Sequence, residues 1–210
     1  MLTVTRTANA GVLLELDGKR ILLDGVCREV APYPATPEYV KETLKNPFPD
    51  VLAFTHHHPD HYDPTFAAEY ETVTGRKAID PTFVGSVVPS GEVRIIPVKS
   101  RHIGGFDCPH CSFVVAGSAC VWFLGDASPS QWKNMDQLPA PDVVIAPFAY
   151  ATTAASWKMT QRLGADTVIL VHMPQRENDP MGLWPAVEQT VGGQSGVFIP
   201  EMEGFVKINL

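Results

Sequence analysis

VLAFTHHHPDHYDPTF, residues 51–66, joins a strand, a polar turn and a helix start within sixteen positions. VLAF is a continuous apolar run, the pattern of a strand buried on both faces. Asp63-Pro64 opens a helix running to about Val73, with Asp63 as its cap and Pro64 in the first helical position. Between them, residues 54–63 hold four of the chain's seven histidines and two aspartates. His56, His58, Asp60 and His61 therefore stand together at a strand end. Burying four such groups there would be costly without a cation to share. Neutral imidazole and carboxylate suit zinc, manganese or iron. If the extended backbone persists past Phe54, a period of two puts His56 and His58 on one side.

Working outward, other apolar runs end in the same residue types. VWFLGD reaches Asp126, TVILVH reaches His172, and RIIPV stops four residues before His102. Open α/β sheets build sites beyond the carboxyl ends of their strands. Strands are expected at 2–5, 11–17, 20–24, 93–98, 112–116, 119–124, 143–146, 167–171, 197–199 and 205–209. Asp17-Gly18 makes a hairpin of the second and third. Pro97 marks its strand as an edge or a bulge. Helices are expected at 37–46, with Thr36 as cap, near 130–138, at 152–164 and at 182–191. Early strands followed by strand–helix alternation give a layered α/β protein. Without a repeat or linker, residues 1–210 read as one domain.

The chain has 210 residues, is 45% hydrophobic and carries a formal charge of −7. That balance opposes a general grip on nucleic acid. No segment has the roughly 20 apolar residues of a membrane span, and the N-terminus does not read as a signal peptide. A cytoplasmic protein acting on a small molecule is expected, and a homo-oligomer stays open. Cys27, Cys108, Cys111 and Cys120 are then thiols. Cys108-Pro-His-Cys111 lacks the second ligand pair of a structural zinc site, and the role of Cys27 is open. His57 and His110 read as packing or surface residues. Tyr33, Phe106, Trp132, Tyr150 and Trp184 divide evenly between pocket lining and core. Arg28, Arg101 and Arg176 read as solvated surface.

THHHPDH, residues 55–61, resembles the T-H-x-H-x-D-H signature of metallo-β-lactamase-fold hydrolases. GVLLELDGKRILLDG (11–25), GDAS (125–128) and ILVHMP (169–174) resemble the family's opening hairpin, bridging carboxylate and last histidine, in the family's order. The resemblance implies an αβ/βα sandwich, an α+β fold of four layers, with two divalent metals, zinc first and manganese or iron as alternatives. His56, His58 and His102 would bind one metal, Asp60, His61 and His172 the other, and Asp126 both. His110 competes with His102, which is preferred for its glycine-flanked loop after a strand. Asp24 would orient a ligand histidine. The implied activity is hydrolysis of an ester, lactone or phosphodiester by a metal-bridging hydroxide, with Asp60 also serving catalysis. The short chain and the DGKRILLDG hairpin resemble the ascorbate-6-phosphate lactonase branch, although TANAG (7–11) puts Asn9 where that branch often has histidine. Two alternatives are a non-catalytic metal-binding sensor or scaffold and a mononuclear iron sulfur dioxygenase.

Overall fold

The computed structural model describes residues 1–132 and 137–209. The chain opens with β1 (Leu2–Arg6), β2 (Val12–Leu16) and β3 (Lys19–Leu23), then α1 (Glu38–Lys45), β4 (Val51–Ala53) and α2 (Pro64–Thr74). It continues through β5 (Val88–Ser90), β6 (Val93–Lys99), β7 (Cys111–Ala116), β8 (Cys120–Phe123), β9 (Val143–Pro147), α3 (Ala154–Gln161) and β10 (Thr167–Val171). The last elements are α4 (Leu183–Val191), β11 (Val197–Phe198) and β12 (Phe205–Ile208). Two mixed sheets result, a five-stranded one in the order β12-β1-β2-β3-β4 and a seven-stranded one in the order β11-β10-β9-β8-β7-β6-β5.

Strand periodicity explains the layering. Ile21 and Leu23 of β3 face a core shared with Phe113, Val121, Ile145 and Ile169 of the second sheet. Leu22, between them, faces the opposite way and packs with Leu44 of α1 and Phe66 and Tyr70 of α2. The second sheet repeats this: Ile145 points inward, while Val144 packs with Trp157 of α3 and Val187 of α4. Each sheet is thus apolar on both faces, which is why runs such as RILL and VVIA show no polar alternation. The product is a four-layer mixed α/β fold, helices outside and sheets within. Among the described residues, no helix is long and apolar enough to cross a membrane.

Local chemistry set several boundaries as expected. Asp63 accepts from the backbone N–H groups of Thr65 and Phe66, with Pro64 opening α2. Asp17 and Gly18 both take positive φ, 51° and 72°, as a tight hairpin turn demands. Other expectations need correction. Thr36 does not cap α1; Pro37 occupies that position, and Thr36 Oγ1 instead accepts from the Cys27 backbone N–H at 2.9 Å. The helix at 152–164 is shorter, because its capping box sits at Thr153 and Ser156. β6 is no simple edge strand. It lies between β5 and β7, but β5 reaches only to Ile95, so the half carrying Pro97 has a neighbour on one side alone. The helix expected near 130–138 falls partly on residues 133–136, outside those described, and Pro129–Gln131 form a single 3₁₀ turn.

Candidate metal centre

Every candidate ligand sits just past a strand end. His56 and His58 follow β4, and Asp60 and His61 lie in the turn that Asp63 closes into α2. From the facing sheet, His102 follows β6, Asp126 follows β8 and His172 follows β10. The two sheets deliver these groups to one place. Ligand atoms of His56, His58 and His102 lie within 4.8 Å of one another, as do those of Asp60, His61 and His172. Asp126 stands between the two groups, with Oδ2 3.5 Å from Nε2 of both His61 and His102 and 3.7 Å from that of His172. His172 Nε2 is also 3.3 Å from Asp60 Oδ2.

Hydrogen bonds on the far side of each ring set the tautomers. Asp24 is fully buried and accepts from Thr55 N at 2.7 Å, Thr55 Oγ1 at 2.6 Å and His61 Nδ1 at 2.8 Å. Having donated to Asp24, the Thr55 hydroxyl accepts from His56 Nδ1 at 2.9 Å. His102 Nδ1 donates to the Ile103 carbonyl at 2.6 Å. In its neutral form each of the three rings therefore keeps its Nε2 lone pair free. Nε2 of His56, His61 and His102 are all buried without any hydrogen-bond partner, as is Asp126 Oδ1. Three convergent buried lone pairs beside a shared carboxylate are unfavourable alone and fit divalent cations well. Asp24 also lies near His56 and His61, and its oxygens already accept from three donors.

His110 lies outside this group. Its Nδ1 pairs with Ser100 Oγ at 2.7 Å, and its Nε2 accepts from the Asp126 backbone N–H at 3.1 Å. Both ring nitrogens are engaged, and the ring holds the Asp126 backbone in place. His57 is exposed and stacks on Tyr62 at 4.5 Å. All four cysteines are free thiols.

The electrostatics follow from packing many ionisable groups in a dry space. Burial pushes the His110 pKa down to about 3, despite the attraction of Asp126. Burial likewise drives His56 far down and lowers His58, with nearby histidines adding to it. Burial opposes charge on His61 as well, yet Asp126 and Asp24 hold its pKa well above the ordinary value. Burial would raise Asp126, but His172 and His61 keep it well below the carboxylate range. Asp60 is lowered too, its desolvation outweighed by His172. Asp24 at φ 47° and His172 at φ 60° are among the non-glycine residues with left-handed backbone. Such conformations collect at functional sites, where surrounding contacts hold them; here the His172 N–H donates to the Asn9 carbonyl at 3.0 Å.

Two residues singled out in sequence, Asn9 as a departure from the lactonase branch and Tyr33 as pocket or core, prove to be neighbours of His172. Tyr33 stands edge-on to its ring at 4.6 Å, and Asn9 Nδ2 lies 3.3 Å from its Nε2. Phe106 meets His102 and His58 at 5.3 and 5.8 Å, 61% exposed at the mouth of the site. Tyr150 is core instead; its hydroxyl donates to the Ala127 carbonyl at 2.9 Å, behind Asp126.

Residues 3–172 match the model of the beta-lactamase superfamily domain, and the chain belongs to that family. Several solved structures share its fold. A protein of Veillonella parvula described as a possible metal-dependent hydrolase superposes with a TM-score of 0.71 at 16% identity, covering 99% of this chain and 100% of its own. Igni18, a metallo hydrolase of the archaeon Ignicoccus hospitalis, gives 0.67 at 18%, covering 100% and 99%. An isothiocyanate hydrolase from Delia radicum gut bacteria gives 0.65 at 16%, covering 99% and 100%. No curated protein matches the sequence.

Proposed function

We propose that the protein is a binuclear metal-dependent hydrolase of the lactonase-like kind, cleaving an ester, lactone or phosphodiester bond in a small molecule. The observation that carries this reading is the set of unpartnered, buried Nε2 atoms of His56, His61 and His102 converging on Asp126. His56, His58 and His102 would hold one cation, Asp60, His61 and His172 the second, and Asp126 both. Two divalent cations, zinc first and manganese or iron as alternatives, supply a water acidic near neutrality and polarise the substrate's carbonyl or phosphoryl oxygen.

The chain's own groups do the rest. Asp24 fixes His61 as the Nε2-lone-pair tautomer, and Thr55 relays the same constraint to His56. His110 and Ser100 hold the Asp126 backbone. Asp60 is the acid open to the mouth, its side chain 15% exposed against 10% for Asp126. Asp60 would take a proton from the attacking water and pass it to the leaving group.

Loading the purified chain with zinc or manganese, counting metal by elemental analysis, and assaying p-nitrophenyl acetate, a lactone panel and bis(p-nitrophenyl) phosphate tests the proposal. Two metals per chain and metal-dependent turnover of at least one bond type are expected. Asp60→Asn should cut kcat far more than it changes KM. Two bound metals without turnover would instead indicate a binding protein, and one iron per chain would exclude the binuclear reading.

A further inference from the structure

Beside the metal centre lies a cavity of about 460 Å³ that neither the metals nor the proposed proton transfer uses. It is walled by the 33–37 loop, the 173–177 loop and the 201–203 turn. Its lining includes Asn9 and Tyr33, both of which also touch His172. They are 2% and 7% exposed, yet Asn9 Oδ1 and the Tyr33 hydroxyl have no hydrogen-bond partner. Buried polar atoms without partners are rare, and two at the junction of a cavity and a metal centre mark a place where a ligand supplies the missing contacts.

The charges on the wall define what fits. Two cationic side chains line the cavity, and both are committed. Arg6 donates to the carbonyls of Ala8, Pro200, Asn9 and Met173 at 2.9–3.2 Å. Arg176 pairs with Glu188 at 2.8 Å and lies 3.7 Å over the Trp184 ring. Against them stand three exposed acids, Glu177, Glu201 and Glu203. Glu203 accepts from the Tyr39 hydroxyl, while neither Glu177 nor Glu201 has an ion-pair partner among the described residues. Tyr39, Trp184 and Met202 add apolar and aromatic surface.

We infer that this cavity holds the part of the substrate remote from the cleaved bond, and that it takes an organic group free of negative charge, a cation by preference. A phosphate or carboxylate tail would lie among unpaired carboxylates with no free guanidinium to receive it. An alkylammonium would meet carboxylates and the exposed Tyr39 ring, the usual setting for such groups. The inference rests on the hydrolase reading, since it assigns the cavity to that reaction's substrate. It points away from phosphorylated lactones.

Binding of hexyltrimethylammonium and of hexyl phosphate to the metal-free full-length chain, followed by calorimetry and tryptophan fluorescence, tests the assignment without any turnover. The ammonium compound should bind about tenfold or more tightly than the phosphate at low salt, given unpaired acids within a Debye length. Glu177→Lys/Glu201→Lys alters two exposed side chains and should reverse that order, with an unchanged circular dichroism spectrum. Equal or tighter binding of the phosphate to the unaltered chain, or an order unmoved by the double substitution, would overturn the inference. Neither result touches ester cleavage by the loaded protein, so the two readings can fail separately.

Discussion

Replacing Asp24 by asparagine should weaken metal binding without altering a candidate ligand. Three donors converge on the Asp24 carboxylate: Thr55 N at 2.7 Å, Thr55 Oγ1 at 2.6 Å and His61 Nδ1 at 2.8 Å. Asparagine offers one acceptor oxygen and one donor nitrogen of nearly the same shape. The Thr55 backbone N–H cannot change its role and will claim the oxygen. The amide nitrogen then faces His61 Nδ1, and two donors cannot share that contact. His61 is relieved by moving its proton to Nε2, the atom that must present a lone pair. Loss of such an orienting partner weakens metal binding by about 10–100-fold, or about 1.4–2.8 kcal/mol at 1.4 kcal/mol per decade. Zinc titration by calorimetry, with elemental analysis of the dialysed protein, reads affinity and stoichiometry together. Nitrogen NMR of labelled histidine reports the tautomer. If Asp24→Asn bound two equivalents at the original affinity, with His61 still protonated on Nδ1, the orienting role would be wrong.

Three further outcomes are expected. Asp63→Ala should cost roughly 1–2 kcal/mol at pH 7, because it removes the cap of α2 and the partner of Lys41, 2.8 Å away. Burial raises the Asp63 pKa, but Lys41 and the two backbone N–H groups bring it below its ordinary 3.8. The stability it contributes is thus complete above about pH 4 and fades as pH falls through the lower folded-state value. Denaturant titrations of wild type and variant should therefore converge in acid, and a constant gap down to pH 2 would refute this. Gly11→Ala would set a Cβ 2.0 Å from the Asp24 carbonyl oxygen, so a loss of about 3 kcal/mol or more is expected in equilibrium unfolding. Chelating metal held at a free concentration a thousandfold above Kd should remove about 4 kcal/mol for each site emptied, which at about 2–4 °C per kcal/mol lowers Tm by roughly 8–16 °C per metal lost. A melting curve indifferent to chelator would show that no cation is bound under those conditions.

Features governed by neighbours in sequence were legible before the structure. Asp63 and Pro64 start a helix through contacts two and three residues away, and Asp17-Gly18 turns a hairpin through its own backbone. The His56–His61 cluster could be read because its members lie in one turn. Legibility failed where a distant group decides. Thr36 looks like a cap, but the Cys27 N–H claims its hydroxyl. The glycine-flanked loop favours His102 over His110 in sequence, but only the fold brings Ser100 and the Asp126 backbone N–H to the two nitrogens of His110. Asn9 and Tyr33 meet His172 across 163 and 139 residues, which no local pattern encodes. β5 escaped notice because its three residues include Pro89 and only one short hairpin supports it.

The Asp17 turn has a consequence for the whole molecule. Its carboxylate accepts from the Ser118 backbone N–H at 2.7 Å and from the Ser118 hydroxyl at 2.6 Å, linking the β2–β3 turn of one sheet to the β7–β8 turn of the other. This clasp lies at the end of β3 and β8 opposite Asp24 and Asp126. At the near end the sheets are joined by the Cys111 N–H to the Thr55 carbonyl and the His172 N–H to the Asn9 carbonyl, at 2.9 and 3.0 Å, and by whatever the imidazoles and acids jointly grip. If cations are held there, removing them loosens this end and spares the Asp17–Ser118 corner, while the shared apolar core keeps the sheets together. Amide exchange should accordingly quicken around Phe54, Gly125 and Val171 while the Asp17–Ser118 corner stays protected.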